Sequence, residues 1–155
     1  MKKLIFIPIS FISYVGWTQN DKTQPDFYNP SSVSKPKGYS HASVIDLGRS
    51  KMIILSGQIA LDSTGTLVGK GNLEKQTQQV FVNISNILRE VGGSMNNIVK
   101  LNYYLIDVKQ IQVVRDIRDK FINLENPPTS TLVQVTKLFR DDLLIEIEAT
   151  AIIQK

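Results

Sequence analysis

The sequence contains no cysteine and a single histidine, His41. The absence of cysteine excludes disulfides, thiolate nucleophiles and cysteine-ligated metal sites. One histidine also makes a histidine-rich zinc site or a Ser-His-Asp triad hard to build within one chain. Any catalysis therefore has to use carboxylates, hydroxyl groups, backbone amides and bound water, and we expect neither a metal nor a cofactor.

A strong excess of positive charge is also lacking. The net charge is +4, but Lys2 and Lys3 lie in the apolar N-terminal segment, and beyond residue 19 there are 16 basic against 14 acidic side chains. No basic cluster is interleaved with aromatic residues, as is typical of nucleic-acid-binding surfaces. The sequence therefore predicts no nucleic-acid partner.

The first 19 residues have the pattern of a secretory signal peptide. Three residues, MKK, precede the apolar run 4–15, which is too short to span a membrane comfortably. The following residues 16–19, GWTQ, lack an Ala-x-Ala cleavage site, so anchoring by an uncleaved segment is the alternative. We expect export to the periplasm or the extracellular space, with no stable membrane association after cleavage.

Residues 20–37 are rich in Pro, Ser, Asn and Lys and predict a flexible arm that can dock at one end. The remaining residues, 38–155, are long enough for one domain. His41 lies near the start of this domain. It could serve as an acid or base in a cleft, but a lone histidine beside a strand start is more often a surface or packing residue.

The first half of the domain predicts two strands and a helix. Residues 40–47 and 51–56 are β-rich runs separated by a Gly48 turn. Gly57 then interrupts the second strand, which indicates either a simple bulge or the close approach of a ligand or another backbone. Asn72 can cap a helix whose apolar residues keep the three-four spacing of one buried face, and Gly92 ends it.

A strand over residues 98–106 and a second helix follow. We expect Asp107 to cap this helix, with its apolar residues facing inward. These apolar residues are Val108, Ile111, Val113 or Val114, Ile117 and Phe121.

The C-terminal region predicts two strands, over residues 131–138 and 144–152. The second strand alternates strictly, so that Glu146 and Glu148 share one face and the apolar side chains share the other. Two neighbouring carboxylates on one face indicate a solvated sheet surface or a functional site. The order of elements predicts an α+β fold with one sheet and both helices on one face. The other face would remain uncovered, and self-association is expected if it is apolar.

Several short motifs together resemble those of the RidA (YjgF/UK114) family of enamine/imine deaminases. These motifs are residues 38–42 (GYSHA), 55–59 (LSGQI), 99–107, 128–133 (PTSTLV) and 144–149 (LIEIEA). The resemblance covers residues 38–154. It implies a chorismate-mutase-like fold, a homotrimer whose sheets form a central barrel, and small-molecule clefts between neighbouring subunits.

The resemblance also implies roles for individual residues. In active deaminases of this family an arginine grips the carboxylate of the substrate, and a C-terminal glutamate helps to position water. Glu146 corresponds to that glutamate and is the candidate catalytic residue. The substrate-binding candidates are Tyr39, Ser56, Gly57, Thr129 and Ser130.

The arginine itself is absent, because Thr129 stands in its place. No other arginine lies close by in sequence, and Arg140 lies in the following turn. A hydroxyl contributes about 1 kcal/mol of net hydrogen bonding, against about 1.5–3 kcal/mol for a charged group. The sequence therefore predicts a hydrolase of a neutral or differently charged imine or enamine rather than a standard 2-imino-acid deaminase. The alternative is a non-catalytic exported trimer that binds a metabolite or a protein.

Overall fold

In the computed structural model, residues 24–155 are described, so the predicted signal segment 1–19 lies outside them. The helices and strands are β1 (Asp26–Tyr28), β2 (Ala42–Asp46), β3 (Ser50–Gln58), α1 (Leu73–Glu90), β4 (Ile98–Leu105), α2 (Ile111–Arg118), β5 (Thr129–Gln134) and β6 (Ile145–Gln154). The strands form one sheet in the order β1-β2-β3-β6-β4-β5. Within this sheet β4 and β5 are parallel, and every other pair is antiparallel.

Both helices pack on the same face of the sheet, which confirms the predicted α+β architecture. The alternation of β6 explains this arrangement, because Ile145, Ile147 and Ala149 are buried under α1 while the intervening glutamates are only half-buried. Helix α1 contributes fully buried Phe81, which stacks on Phe121 beyond α2 with ring centroids 5.1 Å apart. The opposite face of the sheet has no helix over it among residues 24–155.

Part of the segment predicted to be a flexible arm is packed against the domain. Residues 26–28 pair with β2 as strand β1, and Val33 is buried in the core. The Asn29 side chain accepts a hydrogen bond from the His41 backbone amide at 2.9 Å. The strand pairing, the buried Val33 side chain and the Asn29 hydrogen bond dock residues 26–33 of the arm on the domain.

Most predicted boundaries differ from the structure by one or two residues, and larger differences occur at the end of β5 and at the start of α2. Strand β5 ends at Gln134 rather than Leu138, because the chain turns away after Val135 donates a backbone hydrogen bond to Leu105. Asp107 does act as a cap, but it caps a 3-10 turn over Val108–Gln110 that precedes α2. The tighter turn rotates Val108 outward, leaving it 37% exposed instead of facing the core.

Two buried amide side chains on α1 form hydrogen bonds with the backbone of two loops, one after β3 and one before β6. Gln76 is fully buried; its amide nitrogen donates to the backbone oxygens of Gly69 and Asp142, and its oxygen accepts from Leu144 N at 2.8 Å. Asn83 donates to the backbone oxygens of Ile59 and Leu61, at 3.0 and 2.8 Å. The buried polar side chains of this helix therefore hold the loops in position, whereas its buried apolar side chains pack against the sheet.

Replacing Gln76 by leucine should destabilise the fold by about 3 kcal/mol, because two backbone carbonyls and one backbone amide lose their partner at a buried position. Urea unfolding at fixed protein concentration measures this cost. Thr77→Val is the matched control, since the Thr77 hydroxyl, equally buried, bonds only to Leu73 within the same helix turn. Equal losses in the two variants would contradict an anchoring role for Gln76.

Candidate functional site

A β-bulge in β3 creates the centre of the site. Leu55 pairs with Ala149 and Gln58 with Ile147, so β3 contains one extra residue at Ser56–Gly57 relative to β6. The bulge lies beside Glu146. A Cβ built on Gly57 would overlap with the carboxylate oxygen Oε1 and come within 2.7 Å of its Cδ. Gly57 is therefore both a bulge residue and a point of close approach, and the approaching group is the Glu146 side chain.

The Ser56 hydroxyl fixes the bulge to the preceding strand. It donates to the backbone oxygen of Ser40 at 2.6 Å, and the Ser56 backbone oxygen accepts from the Gln58 side chain at 2.8 Å. The hydroxyl proton is thus already used within the protein. The oxygen keeps lone pairs with which it can accept a hydrogen bond from a ligand.

The two glutamates on β6 have different surroundings. Glu148 accepts hydrogen bonds from the Tyr104 hydroxyl at 3.0 Å and from the Asn102 side chain at 3.3 Å. Glu146 instead packs over Gly57, where burial raises the pKa of its carboxyl above the ordinary 4.5, and the charge of Glu148 raises this pKa further. Because burial raises its pKa, the Glu146 carboxyl is suited to a proton-transfer role in the cleft.

Tyr39 lies beside this carboxylate. Partial burial raises the pKa of its phenol, and the Glu146 charge acts in the same direction. Its ring meets the edge of the His41 ring, with centroids 5.4 Å apart. His41 is buried and bonded to the protein through both ring nitrogens, to the Ser34 carbonyl and to the Gln58 side chain. Of the two interpretations of His41 made from the sequence, the structure therefore supports packing.

These residues line an open cleft of ≈ 820 Å³. The volume is in the range of small-molecule sites, about 300–1,000 Å³. The predicted residues in its lining are Tyr39, Ser56, Gly57 and Glu146, and the other walls come from Ser34, Lys35, Lys37, Ile59, Leu61, Thr64, Gly65, Phe139 and Arg140. Four of the six residues singled out from the sequence thus meet in one place.

Thr129 and Ser130 lie elsewhere in the chain. They begin β5 at the edge of the sheet, where Thr129 pairs with Lys100 and donates its hydroxyl hydrogen bond to Val99 O at 2.8 Å. Glu146 is two strands away and pairs with Tyr104, so the separation is on the order of 15 Å by strand geometry. Within one chain, these two residues cannot contact a ligand held by Glu146.

The basic residues of the cleft were not identified from the sequence as site residues. Arg140 lines the cleft and forms two hydrogen bonds with Asp142, at 2.9 and 2.6 Å, and this contact lowers the pKa of the Asp142 carboxyl. The i,i+2 spacing of an arginine and an aspartate in a turn was the available signal. Lys35 and Lys37 reach the cleft from the arm. The sequence of the arm, rich in proline and serine, did not indicate that its lysines line a site.

The open face of the sheet exposes several apolar side chains. Phe27 on β1, Ile54 on β3 and Val133 on β5 are 65%, 42% and 42% exposed. Glu148, Asn102 and Thr150 lie between them, in a second recess that also includes Tyr39 and Ser56. This face therefore combines apolar edges with a polar centre.

Residues 24–155 contain no cluster of three or more His, Asp or Glu side chains that could hold a metal ion. In the same part of the chain, no helix has the length and apolar character needed to cross a membrane.

The chain is similar to known proteins both in sequence and in fold. The family described as endoribonuclease L-PSP matches residues 31–153. A RutC family protein of Pyrococcus abyssi is 39% identical over 119 residues, covering 76% of this chain and 88% of that protein. The human 2-iminobutanoate/2-iminopropanoate deaminase is 34% identical over 115 residues, covering 74% and 79%. The crystal structure of E. coli TdcF with bound serine superposes with a TM-score of 0.71 at 25% identity, covering 84% and 99%.

Proposed function

The chain belongs to the RidA (YjgF/UK114) family, and on that basis we propose that it binds a small imine- or enamine-type metabolite and hydrolyses it in the cleft at Glu146. The observation that carries this proposal is the Glu146 carboxyl, packed over Gly57 in a small-molecule-sized cleft with its pKa raised by burial. The human relative named as an imine deaminase supports the reaction class. The serine bound to the E. coli relative supports a ligand of metabolite size.

The proposed chemistry is hydrolysis of a C=N bond. The Glu146 carboxylate takes a proton from a water molecule while the water oxygen bonds to the imine carbon. The C=N electron pair moves to nitrogen, which takes that proton from Glu146. In the resulting carbinolamine, Glu146 moves the hydroxyl proton to nitrogen as the C–N bond breaks and a C=O bond forms, which releases ammonia and restores the carboxylate. One imine and one water thus give one carbonyl compound and one ammonia.

A homotrimer would complete this cleft. Thr129 and Ser130 on the edge strand are remote from Glu146 of the same chain, so they can serve the site only from a neighbouring subunit. The open sheet face, with exposed Phe27, Ile54 and Val133, is the surface that such an assembly would cover. We therefore propose a trimer in which each cleft lies between two subunits.

If the protein is a trimer, sedimentation equilibrium at micromolar concentration should give the mass of three chains, each of 17.4 kDa before any processing. Ile54→Asp should yield monomers, because it places a charge on the face that is buried in the assembly. The matched control is Leu124→Asp, since Leu124 is also exposed but lies outside the sheet. A wild-type protein of monomeric mass would contradict the trimer.

The position of Thr129 bears on substrate choice. Its hydroxyl is already donated to Val99 and cannot replace an arginine as a carboxylate anchor. Without that anchor, a short 2-imino acid can be a substrate only if another cationic group in the cleft holds its carboxylate; a neutral imine needs no such group. Binding without turnover is the second candidate function.

We also propose export of the protein, on the pattern of residues 1–19. A cell-associated chain that retains residue 1 and has no membrane attachment would contradict export.

Ammonia release separates the two functions. We expect purified protein to release ammonia from an imine panel made in situ by amino-acid oxidases and from neutral ketimines. Installing arginine at Thr129, and separately at Ser130, should raise activity on 2-iminobutanoate if the cleft has been redirected to another ligand. No acceleration on any imine by wild type or by either variant would favour the binding function.

The pH dependence of turnover tests the ionisation of Glu146. The folded-state pKa is raised, so the carboxylate form needed as a base is reached only above the ordinary 4.5, and activity should rise with pH through that higher value. In Glu148→Gln the acid limb should move to lower pH, because the neighbouring negative charge is removed. The measurement is kcat/KM against pH. An acid limb that stays in place in this variant would contradict the coupling.

A further inference from the structure

Three basic side chains line the same cleft as Glu146. Lys35 and Lys37 come from the arm, and Arg140 comes from the loop between β5 and β6. The ion pairs found among residues 24–155 include Arg140 with Asp142 but neither lysine. The carboxylates beside these three basic groups are two, Glu146 in the cleft lining and Asp142 bonded to Arg140.

The arm that contains the lysines is held in position. His41 Nε2 donates to the backbone oxygen of Ser34, the residue before Lys35, at 2.7 Å, and His41 Nδ1 accepts from the Gln58 side chain at 3.3 Å. These roles follow from the partners, because a carbonyl can only accept. Val33 is buried one residue earlier. The backbone entering the Lys35–Lys37 segment is thus fixed to the same strand that forms the Gly57 bulge.

Arg140 is held from the other side. Asp142 occupies its Nε and Nη2 groups, and the Asp142 backbone oxygen is in turn bonded to the buried Gln76 side chain at 2.8 Å. A guanidinium has five N–H donors in a planar fork, so Nη1 keeps donors that can reach a ligand. Phe139, which is exposed in the same wall, adds an apolar surface beside it.

We propose that Lys35, Lys37 and Arg140 form an anion subsite that selects ligands containing a carboxylate or phosphate group. This inference rests on the proposed function in that the same cleft holds the ligand. The subsite is built within one subunit, and Thr129 on the edge strand β5 does not line it. It supplies charge-assisted hydrogen bonds that the Thr129 hydroxyl cannot give, and it places the anionic group of the ligand against the arm and the β5–β6 loop.

Calorimetric binding of inorganic phosphate, pyruvate and pyruvamide tests the subsite. Pyruvamide has nearly the same shape as pyruvate but no charge. We expect Arg140→Gln and the double variant Lys35→Gln/Lys37→Gln each to weaken phosphate and pyruvate binding about tenfold, with pyruvamide unchanged. Tighter binding of phosphate would identify a phosphorylated ligand, and tighter binding of pyruvate a carboxylate; either supports the subsite.

Matched controls remove the same charges elsewhere on the surface. Arg115→Gln and Lys109→Gln/Lys120→Gln alter exposed residues that do not line the cleft. Equal losses in cleft and control variants, or no saturable binding of either anion by wild type, would overturn the subsite. Glu146→Gln distinguishes failure of the subsite from failure of the proposed function, because it should lower turnover at least about a hundredfold and leave anion affinity within about twofold.

Discussion

Glu146→Gln is expected to lower imine turnover at least about a hundredfold, the usual contribution of a positioned acid–base group. Glutamine keeps the shape of the side chain that packs over Gly57, but it cannot take a proton from water. The loss should therefore fall on kcat, with KM little changed. Ammonia release under saturating imine measures it, and circular dichroism with sedimentation verifies that the fold and assembly persist.

Glu148→Gln is the matched control for this result. It makes the same chemical change two residues along the same face of β6, at a carboxylate held by Tyr104 and Asn102 instead of facing the bulge. We expect turnover at the pH optimum to stay within about fivefold of wild type, because this group has no proton-transfer role in the proposed reaction. Turnover retained in Glu146→Gln, or lost equally in both variants, would contradict the role given to Glu146.

Gly57→Ala is expected to disable the site by steric exclusion. The added methyl group would occupy the space of the Glu146 carboxylate, and the Cγ of Glu146 lies only 2.9 Å from the Cβ position. Gly57 is not among the glycines with positive φ, so its backbone conformation suits alanine and the contact itself supplies the penalty. We expect turnover to fall about as far as in Glu146→Gln. The free energy of unfolding should fall by about 1–3 kcal/mol, the usual cost of overpacking.

A double-mutant cycle assigns this cost to one contact. In a Glu146→Ala background the overlapping atoms are gone, so Gly57→Ala should cost less than about 0.5 kcal/mol. Urea unfolding of the four proteins at one fixed protein concentration gives the coupling energy, because the stability of an assembly depends on concentration. Additive losses would show that Gly57 is required for the strand itself and not for the carboxylate.

The period-two pattern of β6 allowed much of the fold to be predicted from the sequence. Alternation fixed which side chains face the helices and placed Glu146 and Glu148 together on the open face. The three-four spacing of α1 predicted its buried face in the same way. Such patterns are local, and each strand or helix expresses them independently of its neighbours. The end of β5 and the 3-10 turn before α2 depended on contacts made by distant backbone groups.

The site was only partly predictable for the same reason. Ser56, Gly57 and Glu146 belong to strands and could be placed by motif, whereas Lys35, Lys37 and Arg140 reach the cleft because of an arm and a loop. Their positions depend on His41 and Gln76, two buried polar side chains whose partners are 7 and 66 residues away in sequence. No periodicity in the chain encodes those contacts. The separation of Thr129 from Glu146 became visible only with the strand order.

A crystal structure of the protein with pyruvate, the carbonyl product of a simple imine, would test whether the cleft at Glu146 is the site of hydrolysis and lies between subunits. We expect three copies around a threefold axis, with the pyruvate carbonyl carbon beside the Glu146 carboxylate and Gly57, and the pyruvate carboxylate toward Arg140 and the arm lysines. Pyruvate bound away from Glu146, or a cleft left open to solvent by the absence of a neighbouring subunit, would contradict this expectation.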